Sequence, residues 1–345
     1  MSITRRSFLA SSASAISAPY ILGANDKTGT RLPVIGEGDH KYEVTHDWGE
    51  LPKEISYGNC HGVVEDAQGL IYIHHTVNKE SKSDDAMVVF DNKGKFVKSW
   101  GKEFKGGAHG LHIRKEGSSE FLYMCDTKRK LVVKTTLNGE KVWEIGYPQE
   151  SPSYNADNDG KKIAYTPTNL AVAPNGDIYV GDGYGSSFIN QYSKDAKFIR
   201  SFGGGKGKTP GQLNSPHGII MDERGKTPML AVADRGNNRI QYFTLDGQHS
   251  HFVNNTNSPC HFSIRNGEML IPDLAARITI FDQHNQLVAH LGEGAEGWRQ
   301  LRTKSRDNFT PGKFVCPHGG IFDRKGDIYI VEWVEVGRVT KLRKV

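Results

Sequence analysis

The sequence predicts an all-β fold, a six-bladed β-propeller in which an N-terminal strand completes the last blade, and three observations lead to it. Glycine supplies 39 of 345 residues, about 11% against a usual share of roughly 7%, so tight turns are frequent. A segment of alternating apolar residues punctuated by Asn-Gly and Gly turns recurs roughly every 40 to 60 residues, a period that marks repeat architectures built from one supersecondary unit. The last of six such units shows three strands where the others show four, and a strand of the missing kind stands near residue 42.

The clearest unit runs from Pro167 to Gly203. It reads as four short strands joined by hairpin turns, here called inner, second, third and outer. Laid along the chain, it places inner strands at His61-Gly-Val-Val, His109-Gly-Leu-His, Thr168-Asn-Leu-Ala, His217-Gly-Ile-Ile, Cys260-His-Phe-Ser and His318-Gly-Gly-Ile. The last unit offers strands near 318–322, 327–333 and 337–343. The stretch Tyr42 to Gly49 has the shape of Lys95 to Gly101, the outer strand of the first blade, and would close the ring without an open sheet edge. One domain, 39–345, therefore follows a linker at 25–38. Two smaller β domains would need a linker in the middle, and the one loose stretch there, Gln149 to Lys161, is read as a surface loop.

Residues 1–24 carry Thr4-Arg5-Arg6-Ser7-Phe8-Leu9 and then a weakly apolar Ala/Ser-rich stretch, which predicts a Tat-type signal peptide and a periplasmic or extracellular location. The stretch is too short and too polar to span a bilayer, so no membrane span is expected in the mature protein. A net charge of +5 without a clustered basic face argues against a nucleic-acid partner. Four cysteines are too few for a disulfide scaffold at this length. Cys60 and Cys316 flank ring histidines on neighbouring blades and could pair if their Cα separation allows. A monomer is expected.

Equivalent positions of the inner strands converge on the channel axis. The first such position holds His61, His109, Thr168, His217, Cys260 and His318. Four imidazoles and a thiol at one level compose a metal site, since neutral imidazole suits zinc, copper, iron and nickel. The plainer alternative is a repeat consensus in which each imidazole hydrogen-bonds a neighbouring blade. A second ring, at the end of the second strands, holds His75, Asp126, Asp182, Asp234, Asp273 and Glu332. Asp182 and Asp234 could bind metal or orient its ligands, although holding turns is the commoner duty of such carboxylates. Asp182 opens Asp182-Gly183-Tyr184, which presents a tyrosine at the channel mouth. His74 and His112 are expected in blade packing, and His40, His46, His249, His251, His284 and His290 at the surface. His261 could replace Cys260 in the ring after a one-residue shift.

Three runs, Asn-Gly-Asp-Ile-Tyr-Val-Gly-Asp-Gly-Tyr184, Pro-Gly-Gln-Leu-Asn-Ser-Pro-His217-Gly and Val-Ala-Asp-Arg-Gly-Asn-Asn-Arg-Ile240, resemble NHL-repeat propellers, and among them the catalytic core of peptidyl-α-hydroxyglycine α-amidating lyase. The resemblance implies a zinc held by His109, His217 and His318, with His61 as an additional candidate, and Tyr184 as catalytic acid or base. It also implies a structural calcium bound largely by backbone carbonyls deeper in the channel, and a small-molecule or peptide substrate cleaved at a C–N bond. Three positions depart from the family pattern. His75 stands where the family has a catalytic arginine and is therefore a catalytic candidate beside Tyr184, Gly319 stands where it has an aspartate, and His61 where it has a small residue. The alternative to a lyase is a non-catalytic propeller that binds a protein, peptide or glycan, with the metal structural.

Overall fold

The structure, a computed structural model, describes residues 24–25, 31–155, 160–294 and 296–345. The expected signal peptide therefore lies, except for Ala24, outside the described residues. Six antiparallel sheets surround one axis, and the chain is a six-bladed β-propeller. Blade 1 is built from Cys60–Glu65, Ile71–His75, Met87–Phe90 and Phe96–Trp100, in that order from the axis outward. Blades 2, 3, 4 and 5 repeat the arrangement with inner strands Ala108–Glu116, Asn169–Val172, Pro216–Asp222 and Ser263–Arg265. In blade 6, Pro317–Phe322, Ile328–Glu332 and Arg338–Lys344 are completed by Tyr42–His46, with Thr340 opposite His46 and Lys344 opposite Tyr42. A further short strand, Val34–Ile35, pairs outside Tyr42–His46.

Burial follows distance from the axis. Second strands such as Ile71–His75 are buried along their whole length, because neighbouring blades cover both faces and the usual in-out alternation disappears. Outer strands such as Phe198–Phe202 are half exposed, and charged residues such as Arg200 protect their free edge. The core lies between blades. Ala171, Tyr179 and Ile189 of blade 3 pack on Leu213, Ile219, Leu230 and Phe243 of blade 4, and the Tyr179 hydroxyl donates to the Leu245 carbonyl at 2.8 Å. Burying each of the leucine, isoleucine and phenylalanine side chains here contributes about 1.5–3 kcal/mol, so the inter-blade seams contribute much of the stability of the ring.

The glycine after a ring histidine has a steric cause. A Cβ on Gly110 would lie 2.5 Å from the Thr168 carbonyl oxygen, and one on Gly218 would lie 2.6 Å from that of Cys260. Inner strands of adjacent blades thus approach to backbone contact, which brings the preceding side chains together at the axis.

Candidate metal centre at the channel axis

His61, His109, His217 and His318 meet at the axis, and all four are buried. Their ring centroids are 4.4 Å apart for His61 and His318, 4.8 Å for His109 and His217, 4.9 Å for His109 and His318, and 4.7 Å for His217 and His318. Two sets of ligand atoms within 4.8 Å of one another could hold a metal ion: His61, His109 and His318, and His217, Cys260 and His318. His318 belongs to both.

Hydrogen bonds fix the tautomers. His109 Nδ1 lies 2.6 Å from the carbonyl oxygen of Thr168, His217 Nδ1 2.9 Å from that of Cys260, and His318 Nδ1 3.0 Å from that of His61. Each acceptor is the ring residue of the next blade. A carbonyl only accepts, so the three Nδ1 atoms carry the protons and the three Nε2 atoms are unprotonated acceptors, the tautomer of a metal-binding histidine oriented by a backbone carbonyl. His61 departs from this rule. Its Nδ1 lies 3.3 Å from His318 Nε2 and donates to it.

All four imidazoles are held neutral. Burial lowers the His109 pKa to about 3, with Arg235 acting in the same direction. Burial likewise places His61, His217 and His318 well below the ordinary histidine value, aided by His318 at His61, by Arg235 at His217 and by His109 at His318. A neutral imidazole is the metal-binding form, so no proton has to be displaced near neutral pH.

Tyr184 stands over this centre. Its ring is 44% exposed at the mouth, while its hydroxyl points inward, 3.1 Å from His109 Nε2 and 3.0 Å from His217 Nε2. Burial of the hydroxyl raises its pKa, against the pull of Arg235. Arg235 is a site residue that the sequence reading missed. Its Nη1 donates to the Tyr184 hydroxyl at 3.4 Å and its Nη2 donates to Ser215 Oγ at 3.2 Å, and its charge pulls the Cys260 thiol pKa down against burial. The signal was its position directly after Asp234, the step at which blade 3 has Gly183-Tyr184. Cys260 keeps its place in the ring, with its thiol pKa raised to about 11 by burial.

The second ring has a different duty. Asp234 accepts from Asn214 N–H at 2.7 Å, Arg239 Nε at 2.7 Å and Gln241 Nε2 at 2.9 Å. Asp182 accepts from Thr166 N–H at 2.6 Å, Ser186 N–H at 2.6 Å and the Tyr154 hydroxyl at 2.8 Å, and burial raises its pKa to about 6. Glu332 accepts from Val315 and Cys316 N–H and pairs with Arg338. His75 takes the same role in blade 1, its Nδ1 accepting from Val77 N–H at 3.1 Å and Gly58 N–H at 3.4 Å. These groups fasten the loop leading into each inner strand, and their contacts are spent there rather than on the axial imidazoles. All four cysteines are free and buried. His74 packs edge-on against Phe104. His46, expected at the surface, is half-buried instead: its Nδ1 donates to Thr340 Oγ1 and its Nε2 accepts from Gly312 N–H, because the closing strand places it on the seam.

The donor set of three neutral imidazoles, with a fourth and a thiol at hand, suits zinc or another late transition ion. It does not suit calcium, which takes six to eight oxygens and usually a carboxylate. Neither candidate ligand set among the described residues includes a carboxylate.

No family model matches the chain. Mouse peptidyl-glycine alpha-amidating monooxygenase is 30% identical over 171 residues, 48% of this chain and 16% of that protein. Human NHL repeat-containing protein 3 is 27% identical over 215 residues, 59% of this chain and 57% of that protein. Peptidyl-alpha-hydroxyglycine alpha-amidating lyase 1 of Drosophila melanogaster is 29% identical over 160 residues, 44% of this chain and 27% of that protein. The alignments thus span from about a sixth to just over half of these relatives' lengths, and the names agree with an NHL-type propeller.

Proposed function

We propose that the protein is a zinc-dependent lyase of amidating-lyase type that cleaves a C–N bond at the channel axis. The observation that carries this proposal is the threefold tether. His109, His217 and His318 each fix Nδ1–H on the carbonyl of the next blade and turn a neutral Nε2 inward. Similarity to proteins named as amidating lyases supports the reaction class. His109, His217 and His318 would hold the zinc; the two compact ligand sets, His61 with His109 and His318 and His217 with Cys260 and His318, each contain two of these three. Bound there, zinc would supply Lewis acidity toward an oxygen of the substrate.

The substrate class is a peptide or small molecule ending in an α-hydroxyglycine. Its hydroxyl proton leaves, the carbinol C–O closes to a C=O, the C–N bond breaks, and the nitrogen takes up a proton, giving an amide and glyoxylate. The Tyr184 hydroxyl is placed to move that proton, because it lies between two axial imidazoles and within reach of a guanidinium. Arg235 would stabilise the phenolate form. Ser215 holds Arg235 in place. His75, whose Nδ1 accepts from the Gly58 and Val77 amides, is given no step in this reading. No helix among the described residues is long and apolar enough to cross a membrane. Export through the Arg5-Arg6 signal is part of this proposal, and cell fractionation tests it.

The experiment is a glyoxylate-release assay on an α-hydroxyglycine peptide with zinc-loaded protein. Wild type should release glyoxylate and His217→Ala should not. Equal release by both would reject the ligand assignment, and release by neither would reject the substrate. One observation favours a second reading. His61 donates to His318 Nε2, and after rotation it could add a fourth nitrogen that closes the coordination sphere and makes the metal structural.

A further inference from the structure

The connection 292–316, between the outer strand Leu287–Leu291 of blade 5 and the inner strand of blade 6, is the longest in the ring. Its helical turn Trp298–Leu301 packs beside Trp333 on the buried cluster of Val315, Cys316 and Val334. The carbonyl of the next residue, Arg302, accepts from Glu335 N–H at 3.0 Å. The loop thereby lays the Arg302 guanidinium over the Trp333 ring, 3.6 Å from its centre, with Nη2 donating to Asn59 Oδ1 at 3.0 Å. Both supports lie at the channel mouth. Trp333 follows Glu332 as Arg235 follows Asp234, and Asn59 stands two residues before His61, about 7 Å of extended chain. The Arg302 charge reaches His61, whose neutral form it favours.

This guanidinium is not spent on the fold. Of the five N–H groups an arginine carries, one has a hydrogen-bond acceptor here, and Nε is buried with none. Glu335 is exposed and stays 3.6 Å from Nη1, too far for a hydrogen bond. Arg239 and Arg338, by contrast, are paired with buried carboxylates of the second ring, and Arg235 is held by Ser215 and the Tyr184 hydroxyl. Tyr184 belongs to blade 3 and Trp333 to blade 6, so the hydroxyl and the Arg302 guanidinium stand on opposite sides of the mouth. We infer that Arg302 binds the carboxylate of the substrate. An α-hydroxyglycine carries a hydroxyl and a carboxylate on one carbon, and the fork of Nη donors matches the carboxylate at two points. The hydroxyl is then turned toward the axial imidazoles and Tyr184, while the Trp333 face keeps the fork in its plane. This assignment rests on the lyase reading of the axial site and adds to it the group that selects a free acid over an amide.

Two measurements test it. The first compares zinc-loaded wild type, Arg302→Ala, Arg302→Lys and Arg299→Ala on an α-hydroxyglycine peptide and on its C-terminal amide, with the shortened peptide product read by chromatography. Wild type should prefer the free acid. Arg302→Ala should lower kcat/KM for the acid by about 10- to 100-fold, the range for losing hydrogen bonds to a charged group, chiefly through KM. It should leave the amide reaction unchanged, so that the preference disappears. Arg302→Lys keeps the charge without the fork and should fall between. Arg299, whose guanidinium lies over Trp298, is the control, and its alanine variant should behave as wild type. An Arg302→Ala variant that keeps the preference would overturn the inference, as would an equal loss on acid and amide, the mark of a structural role. The second measurement needs no turnover. Metal-free protein is titrated with N-acetylglycine, which has the carboxylate without the hydroxyl, and with N-acetylglycinamide. Wild type should bind the acid more tightly than the amide, and Arg302→Ala should bind the acid about tenfold or more weakly than wild type. Equal binding of the acid by both proteins, or none by wild type, would overturn the inference. If wild type cleaves neither α-hydroxyglycine substrate, the lyase reading fails, while the titration still decides whether Arg302 holds a carboxylate.

Discussion

The two polar rings of the propeller stand side by side on the same blades and behave in opposite ways. Strand register puts Glu332 opposite Pro317 and Asp234 opposite Pro216, each one residue from a ring histidine. Most of the carboxylates are tied to their own chain: Asp234 has partners in a loop amide, an arginine and a glutamine, whereas Asp273 keeps one buried oxygen without a partner. The imidazoles have one nitrogen fixed and the other turned toward the axis, occupied only by Tyr184 or by another imidazole. A group whose hydrogen-bonding capacity is filled by its own chain belongs to the fold. A buried group whose acceptor nitrogen meets only a tyrosine hydroxyl or another imidazole, beside a guanidinium that no carboxylate pairs with among the described residues, can give that nitrogen to a ligand.

The contrast can be broken from either side, and the largest effect is expected from the carboxylate ring. Glu332→Ala removes a buried acceptor and leaves Arg338, also buried, without its partner. A loss of about 3–5 kcal/mol in chemical denaturation is expected. A change below 1 kcal/mol would show that Glu332 is not a fold-holding group. Tyr184→Phe comes next. It should lower turnover by about 100-fold or more, the usual effect of losing a general acid or base, and leave the unfolding midpoint near that of wild type. Retained turnover would remove Tyr184 from the chemistry.

The smallest expected effect is on the pH dependence of stability. The His109 pKa falls from the ordinary 6.5 to about 3 on folding. Above pH 6.5 neither state binds the proton. Below it the unfolded chain does and the folded chain does not, so stability falls with acidity until about pH 3. In metal-free protein, His109→Gln should therefore flatten the acid limb by at most about 1.4 kcal/mol per pH unit. An unchanged limb would mean that the imidazole is not held neutral.

The fold and the two rings were legible in the sequence because the repeat fixes strand order and puts equivalent residues at equivalent depths. What escaped was everything that depends on departures from the repeat. Arg235 enters the site from a short turn after Asp234. His261 meets the Gly320 carbonyl of blade 6 while Cys260 keeps the ring position, where the sequence allowed for an exchange of the two. His46 is drawn into the seam by ring closure, and His75 turns to amides that belong to a loop the repeat does not constrain. His61 differs from the other three histidines in its acceptor, an imidazole rather than a backbone carbonyl, and no side-chain pattern encodes that difference.

The central claim is that three inward-facing imidazoles hold a zinc ion. It is tested most directly by metal analysis and X-ray absorption on the purified protein, wild type beside His217→Ala. Near one zinc per chain with at least three nitrogen donors, lost in the variant, is the predicted result; wild type without a bound transition metal, or a variant that keeps its zinc unchanged, would contradict it.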